Sequence, residues 1–244
     1  MSFTYLGDFY GVRVNRITSR IFYLMFYKLF MLNRSRFPNY SYNSATSKLM
    51  IQCTPSPVHE NLVSTIFSGF SSAVDALPLP IQSSISVVAG QGFTDFKGAY
   101  SFSSRIPDLA IKSTDNEGVT DIKFALEVGF LETYEELVED ARLWLEGTST
   151  VLMVLIIKLE EDPSYKCPIR RLTDDDFARL MFPPMNEINR EPFVFDGPYG
   201  PVSYQGFQWC GRITGYMEYW APHAVTGLAN RIGNRMVSYT LPHL

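Results

Sequence analysis

Two carboxylates in sheet-like surroundings are the residues of this chain best placed to act on one substrate or ion. Ile106-Pro107-Asp108 is followed, nineteen residues on, by Leu126-Glu127-Val128-Gly129 at the end of a second apolar-patterned segment. Between them lies Ser113-Thr114-Asp115-Asn116-Glu117-Gly118, a polar, glycine-ended cluster that reads as the turn of a β-hairpin. Opposed residues of an antiparallel hairpin share a constant index sum, and the sum for Asp108 and Glu127 centres the turn between Glu117 and Gly118. The two acids are therefore expected to face each other, with Cβ atoms roughly 5 Å apart. That separation lets two carboxylates hold one hard divalent cation through oxygen. A slip of one residue would send one of them to the other face of the sheet.

The elements that must position this pair are legible on both sides of it. From Val58 to about Val74, apolar residues at 58, 62, 63, 66, 67, 70 and 74 follow the helical period. His59 lies near the centre of that stripe and reads as a core-edge imidazole with a backbone partner. Glu60, at its margin, is either a first-turn acid favoured by the helix dipole or an added ligand reaching toward the pair. After the break at Leu77-Pro-Leu-Pro80, Ile81 to Ala89 reads as a strand, and residues 99 to 112 and 119 to 130 as the two hairpin arms. The period then changes to 3.6. Thr133-Tyr-Glu-Glu136 has capping-box form, Tyr134, Leu137, Val138, Ala141, Trp144 and Leu145 make one apolar face, and Gly147 ends the helix. Val151 to Ile157 is an unbroken apolar run, which suits a strand covered on both faces and reached by a right-handed crossover.

A helix, a three-stranded meander with Pro-Asp on one strand and Glu on the next, then a helix and a buried strand, resembles the restriction-endonuclease-like PD-(D/E)XK nuclease superfamily, an α/β (α+β) fold. The likeness covers about residues 48 to 160. It implies Mg²⁺- or Mn²⁺-dependent phosphodiester hydrolysis of nucleic acid, DNA ahead of RNA, with Asp108 and Glu127 as metal ligands and Glu60 as a possible third. Such a cation neutralises developing negative charge and supplies hydroxide near neutral pH. The sequence departs from the family pattern where Glu127-Val128-Gly129 puts Gly in place of the usual Lys. Arg142, on the following helix, is the candidate replacement. It can steady a phosphate but is a poor proton acceptor, and its bland role is a surface pair with Glu139 or Glu146. Two readings stay open beside the hydrolase: a nuclease-like domain without catalysis that binds nucleic acid or protein, and an unrelated α+β fold on which both acids are ordinary surface residues.

Composition bounds the rest. The 244 residues, 46% hydrophobic and 19% charged, allow one substantial core. The expected organisation is a basic extension and linker at 1–47, a nuclease-like core at 48–165 and a helical, aromatic extension at 166–244 packed on that core. Cys53, Cys167 and Cys210 are too few for a disulfide framework and have no zinc spacing. A reducing, intracellular compartment follows, cytoplasmic or nuclear. The formal charge of −4 argues against indiscriminate polyanion binding. It averages a basic start, with seven basic residues to one acid over 1–50, and an acidic block, with fourteen acids to four basic residues over 108–162. The apolar run 21–32 is too short to span a bilayer. It reads as an amphipathic or organellar targeting segment, or as a helix packed on the domain, with a weak signal-peptide alternative. A homodimer is a further expectation. Thr173-Asp-Asp-Asp176 is read as a helix cap rather than a metal site, and the aromatic residues after Phe193 either stack bases or simply pack.

Overall fold

The computed structural model of the chain describes residues 3–5, 12–15, 39–52, 56–167, 170, 172–181, 193–197 and 199–238. In chain order its elements are β1 (Phe3–Tyr5), β2 (Val12–Asn15), β3 (Asn39–Asn43), β4 (Lys48–Gln52), α1 (Pro57–Asp75), α2 (Leu79–Gln82), β5 (Ile85–Val88), β6 (Leu109–Thr114), β7 (Thr120–Gly129), α3 (Tyr134–Gly147) and β8 (Met153–Asp162). There follow α4 (Asp174–Leu180), β9 (Phe193–Phe195), β10 (Val202–Tyr204), β11 (Phe207–Cys210), β12 (Arg212–Pro222) and β13 (Ala229–Ser238). The fold is mixed α/β. Two compact units divide the chain: residues 1–157 with 217–235, and residues 158–216 with 236–244.

The centre of the first unit is a mixed six-stranded sheet in the order β13-β12-β8-β7-β6-β5. Its helices form for the reasons visible in the sequence. Ser56 caps α1, its hydroxyl accepting from the His59 N–H at 3.2 Å, and Pro57 gives up no needed donor at the first position. The predicted stripe of α1 faces inward, with Val63 buried and Phe70 against Phe124 of β7, ring centroids 5.3 Å apart. At the start of α3 the Glu136 carboxylate accepts from the Thr133 N–H at 2.9 Å, completing the capping box. The apolar face of α3 buries Leu137, Val138, Ala141, Trp144 and Leu145 as expected. Trp144 stands at the middle of the core against Phe93 and Phe96, at 5.6 and 5.3 Å between centroids. Six successive residues of β8, Val154 to Leu159, are buried, as the unbroken apolar run requires.

The β6–β7 hairpin carries the predicted register where it matters. Leu109 opposes Leu126, Ala110 opposes Ala125 and Ile111 opposes Phe124, so one further step places Asp108 opposite Glu127. Toward the turn the register slips by one, Lys112 opposing Ile122, because Lys123 is bulged out. The expected first arm is shortened: residues 98–100 form a 3-10 turn and regular pairing with β7 starts at Leu109. The expected strand 81–89 is likewise cut to Ile85–Val88, since Pro80, favourable in the first turn of a helix, lets α2 take Leu79–Gln82.

Three boundaries differ from the expectation. Residues 39–47 are not linker: β3 and β4 form a hairpin that joins β2 and β1 in a sheet of order β1-β2-β4-β3. Residues 166–244 are not a largely helical extension. Among the described residues there, only α4 is helical, and β12 and β13 extend the main sheet. The boundary near 165 falls instead near 157. The apolar run 21–32 and Cys53 lie outside the described residues.

In the second unit, β9, β10 and β11 form an antiparallel sheet with β10 in the middle. Thr173 caps α4, its hydroxyl accepting from the Asp176 N–H at 3.2 Å. The Asp176 carboxylate accepts back from the Thr173 N–H at 3.0 Å and is held below its usual pKa by Thr173. Thr173-Asp-Asp-Asp176 is thus a cap. No described helix is long and apolar enough to cross a membrane.

Candidate functional site

Asp108 sits just before β6, where its N–H donates to Leu126 O at 3.2 Å. Each oxygen of its carboxylate has a partner. Oδ2 accepts from the Val128 N–H of β7 at 2.7 Å, and Oδ1 lies 3.1 Å from His59 Nε2 on the first turn of α1. Burial alone would lower the His59 pKa, but the hydrogen bond and charge of Asp108, helped by Glu60 and Glu132, outweigh it and bring it to about 9. His59 is therefore an imidazolium paired with Asp108, not an imidazole held by the backbone. Its Nδ1 is buried without a hydrogen-bond partner, Glu60 approaching only to 3.5 Å.

Glu127, 2% exposed, shares the sheet face of Ala125, which α3 covers. Arg105, also 2% exposed, grips it with two parallel bonds, Nε to Oε1 at 3.2 Å and Nη2 to Oε2 at 2.5 Å. Trp144 Nε1 of α3 donates to Oε1 at 2.6 Å. The same Arg105 Nη2 reaches Asp140 Oδ2 at 2.6 Å. One guanidinium thus bridges two buried acids from different elements, in the bidentate geometry that favours Arg over Lys. Burial pushes the carboxyl of Glu127 up, against the pull of Arg105. Burial likewise holds Asp140 well above the usual carboxylate range, with Glu127, Glu132 and Asp108 adding repulsion. Glu132, on the loop between β7 and α3, is raised to about 7, first by burial and then by Asp108, Glu127 and Glu136, against Arg105. Four acids, Asp108, Glu127, Glu132 and Asp140, face two cations.

The sequence-predicted residues are only partly brought together. Asp108 and Glu127 lie at one end of one hairpin, near enough that the charge of Asp108 raises the Glu127 carboxyl. Glu60 is mostly exposed, its side chain 62% accessible, and approaches the cluster at His59. Arg142 is exposed. It lies two residues from both Asp140 and Trp144 on α3, roughly 200° round the helix from each, and so takes no part. Gly129 is not a vacant place for a lysine. A Cβ built there meets Leu137 Cδ1 of α3 at 2.8 Å and its Cγ at 3.0 Å, so any larger residue at 129 must displace the Leu137 side chain.

Sequence reasoning missed Arg105, Asp140 and the donor role of Trp144. The signals were present. Counting by twos back from buried Leu109 puts Pro107, Arg105 and Ser103 on the buried parity, and all three are buried. Asp140 falls three residues after Leu137 and four before Trp144, on the inward stripe of α3.

A divalent cation does not fit this donor set as it stands. Both oxygens of Glu127 and both of Asp108 accept from protein donors, and the place between Glu127 and Asp140 is filled by a guanidinium. Among the described residues, no three of His, Cys, Asp and Glu come together as a set that could hold a metal ion. No protein-family model matches the chain, and no curated protein matches it significantly.

Proposed function

We propose that the chain is a restriction-endonuclease-like domain whose acid pair is closed by an internal arginine, and that it serves as a non-hydrolysing binding module for nucleic acid or protein. The element order from α1 to β8 and the juxtaposition of Asp108 with Glu127 support the nuclease-like ancestry of the core. The observation that carries the loss of hydrolysis is the bidentate Arg105–Glu127 pair, extended to Asp140. A metal would have to displace a buried cation that already satisfies its ligands, and separating one partner from such a pair costs about 3–5 kcal/mol. The absence of a motif lysine agrees, since Leu137 occupies its approach.

The competing reading is Mg²⁺- or Mn²⁺-dependent phosphodiester hydrolysis at the same acids, for which the surplus of four acids over two cations speaks. Incubation of the purified protein with single- and double-stranded DNA and RNA, with and without Mg²⁺ or Mn²⁺, separates the two. The proposal expects no metal-dependent cleavage. Cleavage that requires metal and disappears in Asp108→Ala would restore the hydrolase.

A further inference from the structure

A cavity of about 40 Å³ lies between the β3–β4 hairpin and α3, lined by Ser41, Lys48 and Met50 of the hairpin and by Glu136, Glu139 and Asp140 of the helix. Strand register aims Ser41 toward it. Ser41 opposes Met50 and Asn43 opposes Lys48, and opposed residues and their alternate neighbours share one face of a hairpin. From that face Lys48 reaches Glu139 of α3, Nζ donating to Oε1 and Oε2 at 2.8 and 2.6 Å. The Ser41 side chain therefore looks onto the same helix. Ser41 is 5% exposed, and its Oγ is buried without a hydrogen-bond partner. A buried hydroxyl left unpaired costs free energy, so this one calls for a partner.

Charge selects that partner. Asp140 accepts from Arg105 through Oδ2, and its Oδ1 receives no hydrogen bond among the described residues. The other acids of the lining are engaged: Lys48 takes both oxygens of Glu139, and Glu136 serves the cap of α3. Arg105, which also lines the cavity, is shared between Glu127 and Asp140, so that trio is one positive charge short. Burial and the neighbouring acids hold the Asp140 carboxyl well above its usual range, which reflects the same deficit. We propose that the cavity binds one monovalent cation, Na⁺ or K⁺, between Ser41 Oγ and Asp140 Oδ1. Size excludes an organic cation, because about 40 Å³ is little more than the roughly 30 Å³ share of one water. Donor count excludes a divalent ion, which would draw on a second carboxylate that the lining has already committed. The site is separate from the Asp108–Glu127 pair and does not depend on whether that pair hydrolyses.

The test is thermal unfolding of the full chain and of Ser41→Ala in NaCl, KCl and choline chloride at equal ionic strength. For the unmodified chain, Na⁺ or K⁺ in about tenfold excess over its dissociation constant should raise the folding equilibrium constant about tenfold, a Tm rise of roughly 3–6 °C over choline. The NaCl and KCl arms show which ion the site prefers. Ser41→Ala gives the sign that separates an ion from structure alone. In choline chloride, deleting an unpartnered hydroxyl should leave Tm equal or higher; in the preferred salt, the variant should fall below the unmodified chain because the rise is lost. Crystals soaked in thallium(I) acetate, a heavy monovalent stand-in, should show an anomalous peak touching Ser41 Oγ and Asp140 Oδ1. The same Tm in all three salts, a rise that Ser41→Ala retains, or no thallium peak in the cavity would each overturn the proposal. None of these results bears on hydrolysis.

Discussion

Replacing Arg105 with Met removes the one cation shared by Glu127 and Asp140 while keeping most of the side-chain volume. Both acids are buried, and the other donor to Glu127 among the described residues is the indole of Trp144. Breaking a buried pair by removing one partner costs about 3–5 kcal/mol, because the remaining charge is left uncompensated. For a chain of this size each kcal/mol moves the melting temperature by about 2–4 °C, so the expected loss is roughly 6–20 °C. The pH dependence makes the prediction specific. Without the guanidinium the two carboxyls rise further above their unfolded values, so the folded variant binds protons that the unfolded chain has released. Its stability must fall as pH rises from about 4.5 toward neutrality and recover on acidification. Adding Glu127→Gln to Arg105→Met removes a stranded charge and should restore part of the loss at pH 7. Thermal unfolding followed by Trp fluorescence at pH 5 and pH 7 reads all three. A loss below about 1 kcal/mol, the range of an exposed ion pair, or a loss independent of pH, would refute the buried-bridge reasoning.

Gly129→Lys, which rebuilds the family motif, is expected to destabilise by about 1–3 kcal/mol through overpacking against Leu137 and to create no nuclease activity; urea denaturation with a cleavage assay checks both. Arg142→Ala should shift stability by no more than about 0.5 kcal/mol, because its side chain is exposed and removed from the acids. The His59–Asp108 pair should add a descending limb to the stability profile: the folded pKa of about 9 lies above the ordinary 6.5, so the contribution is complete below 6.5 and lost as pH rises through 9. The full shift corresponds to about 3 kcal/mol, and solvent screening of this partly accessible pair reduces the expected change to about 1–2 kcal/mol. His59→Gln should flatten that limb in denaturant titrations from pH 6 to 10.

Much of the framework could be read from the chain because its signals are local. The stripe of α1, the capping box of α3, the apolar run of β8 and the polar turn of the hairpin each declare themselves within about twenty residues. The pairing at Asp108 is the one expected, but it rests on the bulge at Lys123, which left no mark in the pattern and shifts the register set by the turn by one residue. What escaped depends on contacts distant in sequence. Arg105 and Asp140 each fall on a buried position of their own pattern, but that one guanidinium bridges Glu127 and Asp140 depends on partners 22 and 35 residues away in sequence. The absence of a motif lysine was visible, but not the close approach of Leu137 to position 129, because that side chain belongs to the next element. The return of β12 and β13 to the main sheet is a pairing across tens of residues, which periodicity does not encode.

The most direct test of the closed acid pair is a crystal structure determined in excess Mn²⁺, with anomalous data collected to locate the ion. The account predicts the Arg105 guanidinium between Glu127 and Asp140, the Asp108 carboxylate on His59 and Val128, and no anomalous peak at the pair. A manganese peak within about 2.0–2.6 Å of carboxylate oxygens of both Asp108 and Glu127, with Arg105 swung away, would contradict it.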